Sequence, residues 1–246
     1  MKIPKIIHYC WFGGKEKPDL IKKCIKTWSI LEEKGYKIIE WNENNFRINE
    51  SLYAKKAYEE KRWAFVSDYV RLKVLYDYGG IYLDTDMEVL KDFDEFLDDE
   101  MFMGFMVNCV LATSIIGSKP KHNNIKELLD IYENLDLRIE PNNDLITKFI
   151  LDKYKAFELN NEYQNLNDLI IYPKEYFNNP TYNKNINYSI HRYTGTWRED
   201  KSDNRSMKGI IINKILGDVL FYKIVSYKVN KKSPFYKVYL EKKRSK

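Results

Sequence analysis

The feature that most narrows the choice of folds is the run Gly79-Gly80-Ile81-Tyr82-Leu83-Asp84-Thr85-Asp86, a short apolar stretch held between a glycine pair and two acids. Apolar residues without polar alternation point to a strand buried on both faces, as in a parallel α/β sheet. The glycine pair ends whatever precedes it, and residues 63–78 read as a helix with Phe65, Tyr69, Leu72 and Tyr76 on one stripe. The strand therefore delivers Asp84-Thr85-Asp86 at its carboxyl end, where ligands collect in open α/β sheets.

The chain before this run follows the same logic. Residues 3–10 read as a buried strand that ends at Trp11-Phe12-Gly13-Gly14. Residues 18–31 place Leu20, Ile21, Cys24, Ile25, Trp28 and Leu31 at helical spacing after Pro18, and 36–41 form a second strand. Strand, helix, strand opens a parallel sheet. Residues 51–61 read as a charged surface helix, 87–90, 101–107 and 110–116 as further strands, and 122–135 and 143–151 as helices. The Asn- and Tyr-rich stretch 160–188 reads as loops with one short strand, and no internal repeat is present.

Charge is divided unevenly. Residues 207–246 hold 11 Lys or Arg against Asp218 and Glu241, a balance of +9, which leaves residues 1–206 at −4. A mildly acidic body with a basic end argues against a protein that grips nucleic acid over its main surface. We therefore expect a domain at 1–206 and a basic amphipathic segment at 207–246, with Ile212, Ile215, Leu216, Val219 and Leu220 at helical spacing. That segment reads either as a core-packing helix with a solvated basic end or as an anchor to an anionic membrane surface. Cys10, Cys24 and Cys109 form no metal-ligand spacing and read as reduced thiols. With no signal-peptide pattern and no apolar run of spanning length, the expected location is cytoplasmic, peripheral on the inner membrane face where the basic segment attaches.

Two carboxylates at i and i+2, where a buried strand ends, are held close together yet reach a cleft. Oxygen ligands of this kind suit Mg²⁺ or Mn²⁺, which keep open positions for phosphate oxygens. A metal on a diphosphate neutralises charge that builds on the leaving group as a glycosidic bond breaks. Two acids so spaced also arise on solvated turns, but such a turn needs no apolar approach like Ile81-Tyr82-Leu83. Asp92, Asp94, Asp98 and Asp99 lie in a polar stretch and read as solvated.

The run Ala64-Phe65-Val66-Ser67-Asp68-Tyr69-Val70-Arg71-Leu72, then Leu75-Tyr76, then Gly79 to Asp86, resembles the signature of the DXD-containing sugar transferases typified by initiating mannosyltransferases and capsular polysaccharide transferases. The opening Ile6-Ile7-His8-Tyr9-Cys10-Trp11-Phe12-Gly13-Gly14 is similar to the first strand of that family and of the large glucosylating toxins. The resemblance implies a GT-A type α/β fold, a Rossmann-like, mostly parallel sheet flanked by helices with a helical and irregular C-terminal part. It implies Mn²⁺ or Mg²⁺, a nucleotide-sugar donor with a lean to uridine, a saccharide acceptor and retention of configuration; that the acceptor is lipid-linked follows from the charge of the basic segment alone, if that segment anchors the chain. It assigns His8, Tyr9, Trp11, Asp68, Arg71, Gly80, Asp84, Thr196 and Trp197 to the donor, and Asp84, Asp86 and His191 to the metal.

Several of these residues carry a second reading. Trp11 beside a glycine pair is placed for base stacking, or is a core tryptophan. Asp68 and Arg71 share a helix face and either pair with each other or bind the donor. Asp144 either stabilises an oxocarbenium-like transition state or caps the helix that follows it. His191 opens the element His191-Arg192-Tyr193-Thr194-Gly195-Thr196-Trp197, where Arg192 and Thr196 depart from the family's usual His and Ser. Two rival classes remain. A DxD phosphatase wants Thr or Val two residues past the second acid, where this chain has Glu88. A nucleotide- or sugar-binding module without turnover has no need of paired carboxylates.

Overall fold

The computed structural model describes residues 1–137, 141–193 and 207–244. In chain order the elements are β1 (Ile6–Cys10), α1 (Asp19–Lys26), α2 (Ser29–Glu33), β2 (Lys37–Trp41), α3 (Leu52–Glu59), α4 (Trp63–Tyr78), β3 (Gly80–Leu83) and β4 (Met87–Val89). There follow β5 (Met101–Val107), β6 (Val110–Ser118), α5 (Asn123–Glu133), α6 (Asn142–Lys153), β7 (Gln164–Asn165), β8 (Ile170–Tyr172), α7 (Lys174–Phe177), β9 (Ser189–His191), α8 (Met207–Lys232) and α9 (Tyr236–Arg244).

Seven strands form one sheet in the order β2-β1-β3-β6-β5-β8-β7, and β4 pairs with β9 in a separate ribbon. β2, β1 and β3 are parallel, β6 runs against both β3 and β5, and β8 is parallel to β5, so five of the seven strands share a direction. This is the mostly parallel α/β sheet expected from the sequence. Strand alternation splits the core into two layers. Tyr82, Met101, Met103 and Phe105 face the cluster that holds α3, α4, α5 and α6. Ile81, Leu83 and Phe102 face a second cluster with Trp28, Leu31, Phe93 and Phe177.

The glycine pair does more than stop α4. Gly79 and Gly80 have φ of 63° and 108°, and a Cβ on Gly80 would sit 2.5 Å from the Ile6 carbonyl oxygen. That close approach docks β3 beside β1. α4 is buried beyond the single stripe read from the sequence, since Val66, Val70, Arg71, Val74 and Leu75 are also inside. It is a central helix with neighbours on most sides.

Two further expectations change. Residues 18–31 are two helices because Thr27 and Trp28 turn inward: the Thr27 hydroxyl accepts from Val89 N at 2.8 Å, and the Trp28 indole donates to the Met87 carbonyl at 2.8 Å. The stretch 160–188 holds the expected short strand, β8, whose Ile170 and Ile171 pair with β5, and adds β7 and α7 to it. All three cysteines are free thiols and buried. α8 breaks at Gly217, φ 74°, and Val229, Phe235, Tyr236 and Tyr239 pack on the main core. Among the described residues no helix is long and apolar enough to cross a membrane.

Candidate functional site

At the carboxyl end of β3 the chain makes a tight turn. Asp84 N donates to the Ser114 carbonyl on β6 at 2.8 Å, and Met87 N donates back to the Asp84 carbonyl at 3.0 Å. The turn holds both acids while β4 leads away to pair with β9, setting Met87 against His191. Arg192 N then donates to the Asp86 carbonyl at 2.9 Å. The ribbon thus brings His191 Nε2 to 3.0 Å from Asp86 Oδ1. One ligand atom from each of Asp84, Asp86 and His191 falls within 4.8 Å of the others.

Burial alone would pull His191 below its ordinary range, but Asp86 and then Asp84 outweigh it and raise its pKa. Its Nδ1 is buried without a hydrogen-bond partner. Two carboxylates and an imidazole around one point, with a buried ring nitrogen left unsatisfied, fit a divalent cation.

Asp84 also belongs to a second network. Position 84 has the strand parity of Tyr82, so it emerges on the α4 side, where Arg71 waits. Arg71 Nη2 lies 2.9 Å from Asp68 Oδ1 and 3.5 Å from Asp84 Oδ1. Its Nη1 donates to the Thr113 carbonyl at 2.7 Å, its Nε to the Ser67 carbonyl at 3.3 Å, and its guanidinium lies over the Tyr82 ring. Of the two readings open for Asp68 and Arg71, pairing describes this arrangement, and the buried Arg71 joins Asp68 to Asp84. Burial raises the Asp68 carboxyl to about 6, with Arg71 opposing the shift and Asp84 adding to it. Burial likewise pushes the Cys10 thiol up to about 12, making it a neutral neighbour of Arg71 and Asp84.

Asn142 is the residue that sequence reasoning passed over. Its amide donates to Asp68 Oδ1 at 2.9 Å and accepts from the Tyr132 hydroxyl at 2.7 Å. The helix begins one residue before the 143–151 expected, so Asn142 falls in its first turn. Asp144 does not cap α6. The N-cap position is Pro141, and Asp144 lies within the first turn, where its charge is felt at the Cys109 thiol.

The other expected donor residues divide. Trp11 is half-buried, with its indole donating to the Lys15 carbonyl at 2.7 Å and Lys17 Nζ 5.3 Å from the ring centroid. It lines a cleft of about 390 Å³ with Lys15, Lys17, Lys22, Glu40 and Asn42, so it is not a core tryptophan. His8 is fully buried, with one ring nitrogen on the Gly79 carbonyl and the other on the Trp41 indole, which removes it from a cleft. Tyr9 packs edge-on against Trp28 and donates to Glu40 at 2.6 Å. Gly80 lies at the start of β3, the far end of the strand from Asp84. These three support the sheet. Thr196 and Trp197 lie outside the described residues.

Residues 18–103 match a family described as the glycosyltransferase sugar-binding region containing the DXD motif. The chain is 30% identical over 193 residues to the uncharacterized glycosyltransferase L373 of Acanthamoeba polyphaga mimivirus, a span covering 71% of this chain and 72% of that protein. Among solved structures, the PaToxG glycosyltransferase superposes with a TM-score of 0.50 at 18% identity, covering 63% of this chain and 71% of that one.

Proposed function

Because the chain belongs to the glycosyltransferase family whose sugar-binding region contains the DXD motif, we propose that it moves a hexosyl group from a UDP-sugar to a saccharide acceptor. The transfer retains anomeric configuration and serves polysaccharide or glycan synthesis. The observation that carries the reading is the convergence of Asp84, Asp86 and His191, which fits an ion for the donor diphosphate. The mixed carboxylate and imidazole set leans to Mn²⁺, with Mg²⁺ the alternative. Such an ion supplies Lewis-acid stabilisation of the departing diphosphate.

The chain's own residues do the rest. Trp11 stacks on the base in its cleft, with Lys17 beside it. Asp68 accepts from sugar hydroxyls, oriented from one side by Arg71 and from the other by Asn142. Arg71 acts as a positioning residue, since its nitrogens are already engaged within the protein. Thr196 and Trp197 are assigned to the diphosphate by the family resemblance alone. The site residues fall within 1–206, and residues 207–246 serve as a basic C-terminal segment that brings the enzyme to a lipid-linked acceptor at an anionic membrane.

The test is nucleotide release from a panel of UDP- and GDP-sugars with Mn²⁺ or with EDTA, comparing the parent with Asp86→Ala. Metal-dependent release from one donor, lost by at least about a hundredfold in the variant, is expected. Metal-independent nucleotide binding without release would instead favour a binding module.

A further inference from the structure

The part of α8 that follows the break at Gly217 is fixed to the body by one face. Asp218 pairs with Arg192 at 2.9 Å, the Tyr222 hydroxyl donates to the His191 carbonyl at 2.8 Å, and Ser226 accepts from Asn179 at 2.9 Å. Asn230 continues that contact by accepting from Cys109 N at 3.2 Å. At about 100° per residue, Leu220, Ile224, Tyr227 and Lys231 fall together on the opposite face, with Lys223 and Lys228 on its two flanks. Leu220, Ile224 and Tyr227 are 42%, 43% and 56% exposed. Three large apolar groups in a row, on a helix already anchored from its other side, are not explained by core packing.

Charge identifies what covers them. Residues 219–240 contain Lys223, Lys228, Lys231, Lys232 and Lys237 and no Asp or Glu. Tyr182, 69% exposed, extends the patch and lies 6.0 Å from Lys223 Nζ. We propose that the outer face of α8, through Leu220, Ile224 and Tyr227 with their flanking lysines, docks on an anionic lipid bilayer. The apolar groups enter the boundary between headgroups and acyl chains while the lysines meet lipid phosphates. A second copy of the chain is a poor occupant, because two such faces would set lysines against lysines. Attachment is peripheral, with no spanning helix among the described residues.

This names the surface for the membrane placement proposed above and rests on that reading only for its purpose, because binding is measured without any donor. The full chain is sedimented with vesicles of phosphatidylcholine alone or mixed with phosphatidylglycerol, at low and high salt. The expected result is partition to the mixed vesicles that weakens with salt, with little on phosphatidylcholine. Lys223→Glu with Lys228→Glu should weaken it by about twentyfold or more, and Leu220→Gln with Ile224→Gln should also release the protein. All four positions are exposed, and an unchanged melting temperature verifies folding. No binding to the mixed vesicles, or binding indifferent to both variant pairs, overturns the proposal. Self-association that Leu220→Gln with Ile224→Gln abolishes, without vesicle binding, would overturn it in favour of a second copy. Failure here leaves donor hydrolysis untouched, and failure of donor hydrolysis leaves vesicle binding measurable.

Discussion

His8 accepts from the Trp41 indole at Nδ1 and meets the Gly79 carbonyl at Nε2, so its ring must be neutral with the proton on Nε2. Burial lowers its pKa to about 4, against a modest opposing pull from the Gly79 carbonyl. The unfolded chain then binds the proton more readily, and stability falls as pH drops from about 6.5 to 4, by about 3 kcal/mol at most. Urea midpoints of the parent and His8→Gln between pH 7 and 4 check this, since the parent should lose more stability on acidification. At this scale the sequence was partly legible. The spacing of Asp68 and Arg71 gave their shared face, and the apolar run gave the two acids their place. The role of Arg71 as a bridge to Asp84 was not readable, because it depends on how α4 crosses the end of β3. Nor was Asn142, whose partner Asp68 is 74 residues away.

At the scale of elements, α4 and β3 could be read almost to the residue because glycines with positive φ punctuate them and apolar composition fills them. The division between α1 and α2 could not be read, since it is made by Thr27 and Trp28 bonding to strand residues 62 and 59 positions later. Residues 87–90 read as a strand and β4 is there, but its partner β9 was hidden, because a strand of three residues carries little periodicity. Its stability has an outside support in α8, whose Tyr222 hydroxyl holds the His191 carbonyl. Tyr222→Phe should therefore weaken Mn²⁺ binding by about threefold to tenfold, the worth of one hydrogen bond behind a ligand. Paramagnetic resonance of free Mn²⁺ during titration measures it. A lower melting temperature with unchanged Mn²⁺ affinity would show that the bond serves packing alone.

For the whole molecule, the sequence foretold a mostly parallel sheet but not its order, since β6 enters between β3 and β5 and pairs with each through contacts the local pattern does not carry. The C-terminal segment shows the same limit: its charge stood out, while its packing through Val229, Phe235, Tyr236 and Tyr239 depends on the surface it meets. Ending the chain at residue 206 removes that apolar cover, at a cost of about 3–6 kcal/mol. The melting temperature should fall by about 10 °C, and a truncated chain as stable as the parent would mean the docking contributes nothing.

The pairing of β4 with β9 also has a consequence in time. Glu88 and Arg192, which bond across that ribbon, are 104 residues apart. At roughly 5–20 residues per second, a ribosome completes the two acids about 5–20 seconds before it makes the candidate histidine ligand. A nascent chain in that interval has the motif without the assembled cluster.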